Sequence, residues 1–210
     1  MGWNSATDQL HIGGLAVLGG VFREFPNLEW ITGRFIWFNE GGQTIKVLDI
    51  QRWSRGRYLA GTNRYIQQES TFSRRSLWEK AGGYADASRR MSSDVELWAR
   101  FFRHAQIYSV DALIGGFRLH RNSLVLSNWE ACNQIADENI DAEVNGAPGY
   151  KMVKLFRRIN RTIRRIPKIR VVWQRLVLNS PNGILCRLPG PDWPPVIEYQ
   201  WGKNTWGFRK

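Results

Sequence analysis

The sequence predicts an α/β fold. Runs rich in β-branched and aromatic residues, such as EWITGRFIWF and AQIYSV, take turns along the chain with helix-like stretches such as LAVLGGVFREF and SLWEKAGG. The 210 residues, 43% hydrophobic and 13% aromatic, suffice to bury one sizeable core with an appendage.

The elements follow in order. NSATDQLHIGG has the polarity and glycines of a loop, and LAVLGGVFREF reads as a helix ended by Pro26. EWITGRFIWFNEGGQTIKVLDI reads as two strands folded into a hairpin about Glu40, Gly41 and Gly42. WSRGRYLAG is a short helix and YIQQESTFSRR is extended. SLWEKAGG is a helix with Ser76 and Glu79 as a capping box and Gly82 or Gly83 as its stop. A further helix is predicted over 93–104, where Ser93 and Glu96 repeat the capping spacing ahead of the apolar stripe Leu97, Trp98, Phe101 and Phe102. AQIYSV and ALIGGFRLH are strands, NWEACNQIADENIDAEV is a helix, and NGAPG is the joint before a basic segment. No internal repeat is present.

The net charge of +12 is local. Residues 151–175, KMVKLFRRINRTIRRIPKIRVVWQR, hold ten Lys or Arg and no acid, which leaves +2 for the remainder. Met152, Leu155, Phe156, Ile159, Ile163 and Ile166 recur there at helical spacing, and Arg157, Arg158, Arg161, Arg164 and Arg165 fall largely on the other side until Pro167. Such a helix suits an anionic membrane surface, a polyanion, or docking of its apolar stripe on the main domain with its charges solvated. No run of eighteen or more uncharged apolar residues occurs, and the first twenty residues lack the order of a signal peptide, so a cytoplasmic location is expected. Cys132 and Cys186 carry no metal-ligand spacing and are expected to be idle thiols.

Polar groups gather on the loops between elements: Asp8 and His11, then Gln67, Gln68 and Glu69, then Asp94, then Arg118 and His120. A carboxylate at Asp94 is favourable for the helix dipole alone. Singly, each histidine reads as a structural hydrogen-bonding group.

The order of these residues adds a resemblance. YIQQESTFSRRSLWEKAGGYADASRRMSSDVELWARF, followed by GGFRLHRNSLVLS, resembles the second half of the catalytic domain of family 2 glycosyltransferases, inverting enzymes with the GT-A fold. The match lies in a Gln-rich extended piece, Phe-x-Arg-Arg, an aromatic helix, Gly-Gly-Tyr, Asp-x-x-Leu-Trp-x-Arg and a later Arg-x-His, over residues 67–120. Upstream, GWNSATDQLHIGGLAVLGGVFREFPNLEWITG is similar to the family's acidic loop and the helix and strand after it. Coverage runs over about residues 3–125.

The resemblance implies a partial GT-A domain, a mixed sheet with flanking helices, over 1–125. A helical extension with the basic amphipathic helix follows over 126–178, and a Pro/Trp-rich tail over 179–210. It implies transfer of a sugar from a nucleotide-sugar donor to the hydroxyl of a saccharide or other acceptor, with Asp94 as general base. Asp8 matches the acid that holds a divalent cation, Mg²⁺ or Mn²⁺, although Ser5 and Thr7 stand where the family usually has Asp or Asn and Asp. Arg118 and His120 are matched to the diphosphate side, and Gln67, Gln68 and Glu69 to the acceptor side. The family's nucleotide-binding half precedes the matched region and has no counterpart in this sequence, so weak turnover by this chain alone is expected. An anionic membrane surface is the partner expected for residues 150–175, at the inner face of the membrane; nucleic acid is not expected.

Two other classes fit the same residues. A non-catalytic sugar-binding module would stack rings on some of the eleven tryptophans, Trp53, Trp78 and Trp98 among them, which serve equally well as core. A basic membrane-surface or polyanion-binding protein would depend on the 151–175 segment alone.

Overall fold

The computed structural model describes residues 1–2, 8–61, 65–86, 93–120, 128–146, 151–163, 166 and 194–209. The chain folds as mixed α/β, and two small sheets share its centre. In the four-stranded sheet the order is β1 (Gln9–Leu10), β7 (Gly115–Arg118), β3 (Ile36–Phe38), β4 (Thr44–Val47). Here β7 lies antiparallel to β1 and parallel to β3, and β3 forms a hairpin with β4. In the other sheet β2 (Trp30–Thr32) is central, antiparallel to β5 (Thr71–Ser73) and parallel to β6 (Ile107–Ser109).

The single strand expected over EWITGRFIWF is therefore two strands in two sheets. The break is at Gly33, where a Cβ would lie 2.9 Å from the Ala112 carbonyl oxygen and 2.9 Å from Ile114. Its N–H leaves the ladder to donate to Ser70 O (3.0 Å), and Arg34 N–H donates to Ala112 O (2.9 Å). A glycine in a strand marks such a close backbone approach.

The helices are α1 (Gly14–Glu24), α2 (Arg55–Leu59), α3 (Arg75–Lys80), α4 (Ser93–Phe101), α5 (Trp129–Gly146) and α6 (Lys151–Ile163). Both predicted capping boxes fail, because their acids have better partners. Ser76 lies inside α3 and donates to Glu29, while Glu79 pairs with Arg75 at 2.8 Å. Glu96 is held by both arms of Arg100 at 2.7 and 2.8 Å. The stop of α3 is as expected: Gly82 and Gly83 have φ of 102° and 70°, and their N–H groups return to Glu79 and Trp78.

The larger core gathers around Trp30, whose ring meets Trp98, Phe101 and Phe102 at 5.1 to 5.3 Å. Trp53 and Trp98 are buried in it and Trp78 packs against it, so a stacking surface built on these three is ruled out. A second cluster joins Leu18, Val21, Ile31, Val110 and Ile114 to Ile197.

Ile197 belongs to β8 (Val196–Gln200), which pairs with β9 (Thr205–Arg209) around a turn where Asn204 has φ of 51°. Thus the segment expected to be a Pro/Trp-rich tail ends in a hairpin. Ile197 bridges to Val110, and Arg209 reaches Asp111 at 2.9 Å. Asp111 also accepts from Arg34 at 2.5 Å, and these cations hold its carboxyl below its ordinary range against the opposing effect of burial.

The basic helix exists as expected over 151–163, but only part of its expected apolar stripe turns inward. Val153, Phe156 and Arg157 are its buried residues, while Leu155 and Ile159 are exposed. Arg157 donates to Asp141 (2.8 Å), the Leu59 carbonyl (3.1 Å) and Asp137 (3.2 Å to its carbonyl), and Arg161 takes the other Asp141 oxygen at 2.8 Å. Arg157 was placed on the charged outer side because its type is normally solvated; two aspartates on α5 reverse that. Residues 167–175 of the basic segment lie outside the described residues. Among the described residues no helix is long and apolar enough to cross a membrane.

Candidate functional site

Glu69 lies within electrostatic reach of two carboxylates from separate segments, Asp8 and Asp94. Asp8 is brought in by sheet register. Gln9 and Leu10 pair with Gly116 and Gly115, which sets Asp8 beside the end of β7, where its Oδ1 accepts the Arg118 N–H at 3.3 Å.

Glu69 sits in a single 3₁₀ turn, Gln68–Ser70, laid directly over β7. A Cβ on Gly115 would lie 2.2 Å from the Glu69 carbonyl oxygen, and one on Gly116 would lie 2.6 Å from that of Ile36. The two glycines are what let the turn and β3 close on this strand.

Polar side chains fix the turn from beneath. Gln67 acts as a strand residue in miniature: its Oε1 accepts from Ile36 N (3.1 Å) and its Nε2 donates to Ile36 O (3.0 Å). Thr71 Oγ1 donates to the Gln67 carbonyl (2.7 Å) and lies 2.9 Å from Thr32 Oγ1, with Ser70 Oγ 3.2 Å from Thr32. Thr32, Ser70 and Thr71 are all buried, so this network holds its geometry without competition from water.

Asp94 is the second residue of α4, and that helix is tied down next to it. Tyr58 donates its hydroxyl to the Val95 carbonyl at 2.5 Å, and Arg100 bonds the carbonyls of Ala81 and Tyr84 and lies 4.2 Å from the Tyr84 ring. Burial pushes the Asp94 carboxyl up to about 6, against hydrogen bonds from the N–H groups of Val95 and of Asp94 itself. Asp94 therefore serves the helix end and faces its neighbours at once. Its charge is felt by Glu69 and by the buried thiol of Cys132 on α5, which is raised chiefly by burial.

Glu69 is pushed further than Asp94. Burial, then the Asp8 charge, then Asp94 and a hydrogen bond with Asp8 raise it to about 8, so at neutral pH it carries a proton. Acids whose environments separate their protonation states are the usual mark of acid–base chemistry.

The remaining predicted residues divide. Gln68 and Glu69 share the turn, whereas Gln67 has its amide committed to Ile36. Arg118 meets Asp8 through its backbone; its Nη1 donates to Glu40 O at 3.3 Å, and its buried Nε has no partner among the described residues. His120 is half-buried two residues past β7, and His11 Nδ1 accepts from Gly13 N at 3.3 Å, a structural role. Ser5 and Thr7 lie outside the described residues.

Sequence reading passed over an aromatic pair at the start of α5. Trp129 and Tyr65 are exposed and stacked at 5.2 Å, and Tyr65 is hydrogen-bonded to Asn133. The spacing 129, 133 on one helix was the available signal.

Among the described residues no group of three or more His, Cys, Asp or Glu is arranged to hold a metal ion. A divalent cation here would rest on Asp8 and the neighbouring Glu69 oxygen, with substrate and water oxygens completing the shell. A pair of acids sharing a proton does fit that demand, since a cation relieves the same repulsion. Compared with known proteins, the chain matches no protein-family model and no curated protein.

Proposed function

We propose that the chain carries the acceptor-side half of an inverting, GT-A-type glycosyltransferase, with Asp94 as general base. The observation that carries this reading is the convergence of Asp8, Glu69 and Asp94, with Asp94 raised to about 6. A carboxylate near that value is ionised at neutral pH yet basic enough to accept a proton as a bond forms.

The acceptor hydroxyl attacks the anomeric carbon from the face opposite the leaving group. The new C–O bond forms as the bond to the diphosphate oxygen breaks; the electron pair leaves with the nucleoside diphosphate and the proton passes to Asp94. Glu69, protonated, donates to Asp8 or to an acceptor oxygen, and Gln68 stands beside it. Arg118 meets Asp8 through its backbone at the end of β7, with His120 two residues on, and a guanidinium there suits phosphate oxygens. A divalent cation held at Asp8 and Glu69 would take the place of the proton between them and supply charge neutralisation for the departing diphosphate.

The test is nucleoside diphosphate release from a panel of nucleotide sugars, by this chain and by a form extended upstream, each beside its Asp94→Asn variant. Release that depends on Asp94 supports the proposal. Release unaffected by Asp94→Asn, or none from either form with any donor, overturns it.

A further inference from the structure

We infer that α6 is a membrane-surface element whose outward face, not the face read from its sequence as a whole, docks reversibly on anionic lipid. This inference is independent of the glycosyl-transfer reading.

The helix has two apolar rows. One is spent on the protein: Val153 and Phe156 are buried, and Arg157 between them is locked to Asp137, Asp141 and the Leu59 carbonyl. At about 100° per residue, Leu155 and Ile159 then point away from that contact. They are 51% and 38% exposed, and Ile166 just beyond the helix is 44% exposed. Among the described residues, neither core cluster includes them.

Beside this row run Lys151, Lys154 and Arg158, which take no carboxylate among the described residues. The contrast within one helix is informative. Arg157 and Arg161 pair with Asp137 and Asp141 of α5, and α6 itself carries no acid, so the charge its outer face presents is positive.

The occupant follows from charge and shape together. An anionic bilayer accepts both parts, because aliphatic side chains enter the headgroup boundary while Lys and Arg reach phosphates from their flexible stems. A nucleic acid would satisfy the cations and leave Leu155 and Ile159 without a role. A second copy would bring like charges together. One short row gives reversible attachment, as each basic residue near an anionic surface adds about fivefold in partitioning.

The experiment is co-sedimentation of the whole chain with phosphatidylcholine vesicles, with and without phosphatidylserine. Binding is expected to the anionic vesicles, to fall as salt is raised, and to be negligible on the neutral ones. Leu155→Ser with Ile159→Ser, and separately Lys154→Gln with Arg158→Gln, should each weaken it by about tenfold or more. Helicity and unfolding midpoint should stay unchanged in both, which separates lost docking from lost folding. Equal binding to both vesicle types, or none to either, overturns the inference. So does full anionic-vesicle binding by the Leu155/Ile159 variant, which would leave a plain polyanion surface.

Discussion

Glu69 is hydrogen-bonded to Asp8, acid to acid, and the bond exists because Glu69 keeps its proton to about pH 8. Its folded value lies above the unfolded 4.5, so the folded state binds the proton more tightly. Stability is then complete below about 4.5 and falls as pH rises through about 8, the reverse of an ordinary ion-paired carboxylate.

Glu69→Gln keeps a donor for Asp8 and removes the titration. Chemical denaturation should show the variant more stable than the parent at pH 9, by on the order of 2 kcal/mol, with little difference at pH 5. A parent whose stability is flat over this range would contradict the pairing.

Asp94→Asn should lower nucleoside diphosphate release by about 10²–10⁴-fold while leaving donor affinity near that of the parent. Because the base must be ionised, kcat/KM of the parent should drop as pH falls below about 6. A steady-state pH profile checks both the value and its disappearance in the variant.

Gly115→Ala places a methyl where the Glu69 carbonyl oxygen now lies. The turn must lift, costing about 1–3 kcal/mol, and the Glu69 titration followed by carboxyl NMR should move down toward the ordinary range as Asp8 is left behind. Gly19→Ala is the control: it is in α1 with nothing within 4 Å of the added carbon, and should stabilise by up to about 1 kcal/mol.

Arg157→Met should destabilise the chain by about 2–4 kcal/mol in urea unfolding, since Asp137 and the Leu59 carbonyl lose their partner in a largely buried place. Arg158→Met, one position on, lies on the exposed side and should change stability by less than about 0.5 kcal/mol. Equally small effects at the two positions would mean that Arg157 stays on the outer side, as its spacing alone suggests.

What the sequence made legible was periodicity. The helices at 14–24, 129–146 and 151–163 and the β3–β4 hairpin follow from apolar spacing and turn residues. Asp94 and Glu69 were visible as polar residues at loop ends, and Glu69 is within electrostatic reach of both Asp94 and Asp8. What stayed hidden depended on partners distant in the chain. Gly33 breaks a strand because of Ala112 and Ile114; Glu96 abandons its cap for Arg100; Arg157 turns inward for α5. Gln67 looks like a ligand-binding amide until Ile36 is placed opposite it. A strand as short as β1 carries too few residues for local preference to announce it.

The bridge from Ile197 to Val110 has a consequence for how the body is made. Residues 107–114 and 30–32 meet early in synthesis, yet the cluster of Leu18, Val21, Ile31 and Ile114 is closed by a side chain that emerges more than eighty residues later. Until β8 and β9 are available, one border of the β2-centred sheet and its apolar face stay open to solvent. Closing so long a loop late makes the last stage of folding slow, and a nascent chain paused before residue 196 would present that border to any neighbouring strand.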